Sequence, residues 1–225
     1  MTKSRFNYAI LFPLGVILLA AFFLTPSRNV SASDPGSGDW PMWGGTPDRN
    51  MISNMKGLPE TWDINKKTNV KWVAALGSQS YGNPVVAGGQ VYVGTNNEGL
   101  RDPKQGGDRG VLMVFDEKTG EFLWQMTSEK LAAGRVNDWP YQGVCSSPLV
   151  EGDRLYVHFG HYGMACLDLR GSIVWRNTSL VYEPVHGSGG SPILVDEKLI
   201  FSCDGASDPF VIALDKATGK VLWKT

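Results

Sequence analysis

The sequence predicts an all-β chain assembled from repeated four-stranded antiparallel units, the blades of a β-propeller. Three observations carry that expectation. A hairpin pattern of an Asp, a Gly-containing turn and a closing Trp recurs three times, and a second hairpin of fixed spacing stands upstream of each copy. Eight Trp and 27 Gly accompany turn signals at short intervals over 225 residues.

The downstream hairpins align as Val114 to Trp124, Cys166 to Trp175 and Ala213 to Trp223, with Asp-to-Trp offsets of 8, 7 and 8. The repeat positions are Asp116, Gly120 and Trp124, then Asp168, Gly171 and Trp175, then Asp215, Gly219 and Trp223. The middle copy lacks the Thr and one turn residue, and a weaker copy runs from Trp62 to Trp72 with Asp63 and Thr68. In each, apolar residues lead up to the Asp, whose carboxylate accepts N–H bonds across the turn, and Gly supplies the positive φ of a bulged hairpin loop. The Trp, large and flat, is expected to fill the wedge between adjacent blades.

The upstream hairpins begin at Pro84, Pro148 and Pro192, and their second strands begin at Val91, Leu155 and Leu199, an offset of 7 in all three. Two hairpins make a blade. In an antiparallel blade the turns within each hairpin lie on one face of the disc, and the loops between hairpins lie on the other. Length varies in the second set. From the second strand to the motif Asp the offsets are 25, 13 and 16, and from a closing Trp to the next strand-initial Pro they are 12, 24 and 17. Inserts therefore fall at Thr95 to Gly110 and Gln125 to Val144, both on one face. Long loops gathered on one side of a rigid scaffold are the usual place for binding.

The second insert and its flank offer Arg135, Asp138, Trp139 and Gln142, a cation, an acid, an aromatic face and an amide. Asn83, Ser147 and Ser191 occupy matching positions before the strand-initial Pro and are expected near the central funnel. His186, in a Gly-rich run, is a further candidate for ligand contact. These eight residues form the expected ligand-binding set. No catalytic constellation and no metal cluster is read from the sequence. His158 and His161 at i, i+3 on a strand face opposite ways, and Asn96, Glu98, Asp102 and Asp108 lack a calcium-loop spacing.

The pattern A-x-D-x-x-T-G-x-x-x-W, complete from Ala213 to Trp223, resembles the PQQ-type repeat, and Trp40-Pro41-Met42-Trp43 resembles the start of such proteins. The resemblance covers the chain from about Trp62 onward. It implies a seven- or eight-bladed parent, of which the chain supplies about three to four blades as an incomplete ring, so the sequence reads as truncated at its C-terminus. The family includes quinoprotein alcohol dehydrogenases and non-catalytic relatives such as the BamB-type assembly propellers. Two functions follow as expectations. One is a non-catalytic scaffold that binds a protein, glycan or small ligand through the insert-rich face. The other is a dehydrogenase using PQQ with calcium to oxidise an alcohol or sugar. The adjacent cysteines of the alcohol-oxidising members are missing, because Cys145, Cys166 and Cys203 stand far apart. The lipidated N-terminal Cys of the assembly factors is missing too.

Residues 1–32 read as a secretory signal: Lys3 and Arg5, an apolar run from Tyr8 to Leu24, and Val30-Ser31-Ala32 as a cleavage site. An uncleaved anchor is the alternative, and only that would put the chain on a membrane. Residues 33–61 form a Pro/Gly-rich lead-in, and 62–225 the blades. The implied location is the periplasm or cell envelope. Net charge is −1, or −4 without the leader (18 basic against 22 acidic residues), which argues against nucleic acid as a partner.

Overall fold

In a computed structural model the described residues are 38–129, 141–159, 163–180, 182, 187–205 and 207–225. Among the described residues twelve strands form three four-stranded antiparallel sheets, and the ring is not closed. The first blade comprises β1 (Val85–Ala87), β2 (Gln90–Asn96), β3 (Arg109–Asp116) and β4 (Phe122–Glu129). The second comprises β5 (Leu149–Glu151), β6 (Arg154–His158), β7 (Met164–Asp168) and β8 (Ile173–Asn177). The third comprises β9 (Ile193–Val195), β10 (Lys198–Cys203), β11 (Phe210–Asp215) and β12 (Val221–Lys224). The expected partial propeller is therefore what forms. Among the described residues no helix is long and apolar enough to cross a membrane, and the expected leader and anchor lie outside them.

The repeat explains its own geometry. The second hairpin of each blade (β3–β4, β7–β8, β11–β12) slips register one residue before the Asp, at Val114/Phe115, Cys166/Leu167 and Ala213/Leu214, which is the extra residue of a bulge. Asp116 Oδ1 accepts the backbone N–H groups of Lys118 (2.9 Å) and Thr119 (2.8 Å) and the Thr119 hydroxyl. Asp215 Oδ1 accepts the N–H and hydroxyl of Thr218 at 2.8 and 2.7 Å. Asp168, in the short turn, accepts from the N–H groups of Arg170 and Ser172. The turn glycines take φ +74, +92 and +70 at Gly120, Gly171 and Gly219.

Those glycines also receive the Trp that closes the preceding copy of the repeat. A Cβ on Gly120 would meet the Trp72 ring at 2.5 Å, on Gly171 the Trp124 ring at 2.9 Å, and on Gly219 the Trp175 ring at 2.3 Å. Trp72 Nε1 donates to Glu117 O and Trp175 Nε1 to Lys216 O, each at 2.9 Å and each to the residue after the motif Asp. Trp124 meets the shortened turn, and its buried Nε1 has no partner. The missing turn residue thus has a visible cost. Buried side chains of blades one and two merge into one cluster with Trp124 against it, and those of blades two and three into another with Trp175 against it. Lys216 adds a tie, reaching Glu151 of the second blade and Glu197 of its own at 3.1 and 3.2 Å.

The two faces separate as the connectivity requires. The Glu117 N–H donates to Gly89 O and the Lys216 N–H to Glu197 O, so the turns within the two hairpins of a blade adjoin. On the other face the inserts meet: the Tyr141 N–H donates to Asp108 Oδ2, and the Asn96 amide donates to Tyr141 O.

Inserting Thr between Arg170 and Gly171 restores a full-length turn and should give Trp124 Nε1 an acceptor, raising unfolding free energy by about 1 kcal/mol; an unchanged urea midpoint would sink this account. Gly219→Ala adds a methyl where the Trp175 ring sits and forces Ala to positive φ, an expected loss of about 2–4 kcal/mol. The control Gly106→Ala, with φ −60 and open space around it, should stay near wild type. Hydrogen bonds hold the Asp116 and Asp215 carboxyls below the ordinary carboxylate range, from Thr119 and Thr218 first. Their contribution is present above about pH 4 and lost as pH falls through the lowered folded values. A series of melting temperatures against pH should decline less steeply below pH 4 in Asp215→Asn than in the parent.

Candidate functional site

Pro84, Pro148 and Pro192 bias the residue before them towards extended backbone at the start of each inner strand. That puts Asn83, Ser147 and Ser191 at one level, on the insert-bearing side. The Asn83 N–H donates to Ser147 Oγ at 2.8 Å, and the Ser147 N–H donates to Ser191 Oγ at 3.0 Å. A hydrogen-bonded chain therefore crosses all three blades around the funnel.

The lead-in segment supplies the rest. Trp40 exchanges both backbone hydrogen bonds with Val86 of β1, and Pro41 O accepts from the Val150 N–H of β5, so the segment runs across the innermost strands. Met42 is fully buried in the core shared by blades two and three. Trp43 is left half-buried. A turn closed by the Arg49 N–H on Thr46 O then brings Arg49 back over it, the guanidinium carbon 5.3 Å from the Trp43 ring centroid. Arg49 Nη2 donates to Ser191 O at 2.7 Å, while Nε is buried without a hydrogen-bond partner. Burial lowers the pKa of this guanidinium from its ordinary value.

Two cavities share Trp43. The larger, about 460 Å³, lies between Trp43, Arg49, the Gly189–Ser191 backbone, Ser202 and Asp204. The smaller, about 230 Å³, lies between Trp43, Tyr81, Asn83, Cys145 and Ser147. Their common wall at Gly189 and Ser191 is held from behind by a buried polar network. His158 is fully buried, with Nδ1 3.2 Å from Gly190 O and Nε2 3.0 Å from Tyr182 Oη. A carbonyl only accepts, so Nδ1 carries the proton and Nε2 accepts from Tyr182, whose oxygen also meets Ser188 Oγ. The His158 ring lies 4.8 Å from that of Phe201, and burial raises the Tyr182 pKa. His158 thus positions a loop.

The sequence-derived set divides in three. Asn83, Ser147 and Ser191 line the cavities. Gln142 is buried beside Cys145, whose thiol lies 3.8 Å from Gln142 O, rather than in either wall. Arg135, Asp138, Trp139 and His186, like His161, lie outside the described residues. All three cysteines are free; burial pushes Cys145 up to about 11 and Cys166 and Cys203 to about 12, which suits packing rather than nucleophilic chemistry. Sequence reasoning missed Trp43, Arg49, Tyr81 and Asp204. The Thr46-Pro47-Asp48-Arg49 turn was a usable signal, since a tight turn after Trp43 must fold Arg49 back.

The comparisons agree with this architecture. Residues 61–178 and 105–225 match the model of the PQQ-repeat family described as outer membrane protein assembly factor BamB. A lupanine 17-hydroxylase [cytochrome c] of a Pseudomonas species is 28% identical over 204 residues, covering 84% of this chain and 26% of that protein. Among solved structures, the quinohemoprotein alcohol dehydrogenase of Comamonas testosteroni aligns with a TM-score of 0.54 at 19% identity, over 83% of this chain and 27% of that one. A europium-containing methanol dehydrogenase aligns at 0.55 and 19%, over 86% and 32%. The chain spans about a quarter to a third of the length of these relatives, and at such identity the structures speak to fold. The family match runs through every blade, and with it the chain belongs to the PQQ-repeat propeller family described as outer membrane protein assembly factor BamB.

Proposed function

We propose that the chain is the binding part of an exported, non-catalytic propeller scaffold, which takes a ligand or a partner's projecting group into the funnel on the insert-bearing face. One observation carries the reading. The funnel has concave volume, an aromatic wall, a cation and small polar groups, and among the described residues no base is oriented towards a nucleophile. His158 spends both ring nitrogens inside the protein, the thiols are protonated by burial, and Ser147 and Ser191 accept backbone N–H bonds. Such a site binds and orients.

The dehydrogenase alternative requires a calcium ion beside PQQ. Calcium takes six to eight oxygens, with carboxylates to offset its charge. Among the described lining residues of the larger cavity Asp204 is the one carboxylate, and it already accepts the Ser202 hydroxyl at 2.8 Å. No group of three His, Cys, Asp or Glu capable of holding a metal occurs among the described residues. The described residues do not fit a calcium–quinone pair. Export rests on the reading of residues 1–32 as a signal.

The test is a calorimetric titration of PQQ with excess calcium into the protein, followed by dye-linked oxidation of alcohols and aldoses. The expected outcome is no turnover above background. Stoichiometric binding with turnover would overturn the scaffold reading.

A further inference from the structure

Resting on the reading of the funnel as a binding site, we propose that its ligand is an acidic saccharide, held with a uronate carboxylate on Arg49 and a sugar ring against Trp43 and Tyr81. Arg49 is fixed by two contacts that leave its charge unmatched: the Trp43 face, and a neutral carbonyl at Ser191. Among the described residues it forms no ion pair. Its Nε is sealed from water with nothing to donate to. Burying a donor of a charged group without an acceptor is costly; a carboxylate entering the cavity would offset the unmatched charge by meeting the Nη groups rather than the sealed Nε. A guanidinium offers five donors in a planar fork matched to that group.

A bare anion is not what the cavity fits. Asp204 lines the same space as Arg49 and would repel acetate or phosphate, while its oxygens are good acceptors for hydroxyl groups. A ligand carrying one carboxylate and several hydroxyls satisfies both ends. Ser202 and Ser191 add hydroxyls that donate or accept, and Gly190 lets the backbone line the wall closely, since a Cβ there would meet Ser202 O at 2.2 Å.

The second cavity supplies the other half of a saccharide site. Trp43 and Tyr81 present aromatic faces, on which the C–H face of a pyranose can lie, and Asn83 and Ser147 present polar groups at its edge. Tyr81 is 54% exposed, its hydroxyl donating to Gln79 Oε1, so its ring is available and its removal disturbs little. The two cavities meet at Trp43. An acidic oligosaccharide running through both would place the carboxylate of one residue at Arg49 and stack a neighbouring ring beyond Trp43.

The test is calorimetry with trigalacturonate, with maltotriose as a neutral saccharide of the same length and with acetate and a Glu-containing peptide as carboxylates without a sugar. Trigalacturonate should bind, and the affinity should fall about tenfold or more in Arg49→Met, the loss expected for a charge-assisted contact. Arg49→Lys, which keeps the charge and loses the fork, should fall between. Tyr81→Ala should weaken trigalacturonate several-fold. Equal binding of maltotriose, unaffected by Arg49→Met, overturns the carboxylate anchor and leaves the funnel reading standing. Acetate or the peptide binding as tightly as trigalacturonate overturns the saccharide. If Arg49→Met loses its near-ultraviolet dichroism, Tyr81→Ala decides, and unchanged affinity there overturns the proposal. Failure of both saccharides to bind overturns it too, while the scaffold reading answers separately to the PQQ titration.

Discussion

A tryptophan ring seated on the turn of the next blade is the contact on which the rest of this molecule depends. Trp72, Trp124 and Trp175 each close one copy of the repeat and each lie on the Gly of the following one. The seat exists only because several local choices agree. The Asp must cap the turn, a bulge must set its register, and the Gly must reach positive φ while presenting no Cβ. Where the turn keeps its full length, the indole also donates to the carbonyl after the Asp. A blade of four short strands cannot bury both of its faces alone, so this contact turns separate sheets into a shared core.

The same constraint explains why the two faces differ. Turns that seat a Trp cannot change length without loss, as the orphaned indole N–H of Trp124 shows. Loops on the opposite face carry no such duty. There the chain varies freely, and the described parts of the inserts hold each other through Asp108, Asn96 and Tyr141. The rigid turn face fixes the phase of the inner strands, and the inner strands fix the chain of bonds from Asn83 through Ser147 to Ser191. The polar ring of the funnel follows from packing on the far side of the sheet.

What the sequence disclosed and what it withheld follow the same division. The blades, their turns and the common level of Asn83, Ser147 and Ser191 were legible, because residues at one phase of a repeat occupy equivalent radial positions. The stacking role of the closing Trp followed from its size and recurrence. Trp43 and Arg49 were not legible as site residues. They belong to an unrepeated segment whose path is set by contacts far away in sequence, Trp40 with Val86 and Pro41 with Val150. His158 is set apart from metal ligation by its spacing to His161, but what it packs on is not legible, because its partners Tyr182 and Gly190 come from a loop whose course no local pattern dictates.

The lead-in segment therefore converts a repeat scaffold into a specific site. Blades alone would offer a ring of small polar side chains, hospitable to water and to little else. By crossing the inner strands, residues 40–49 place a half-buried indole and guanidinium in the walls of the cavities. A partly buried positive charge is costly unless something offsets it, and the quadrupole of the Trp43 ring and the carbonyl of Ser191 do so only in part. The remaining imbalance sits next to a hydroxyl-accepting carboxylate at Asp204 rather than in an ion pair with it.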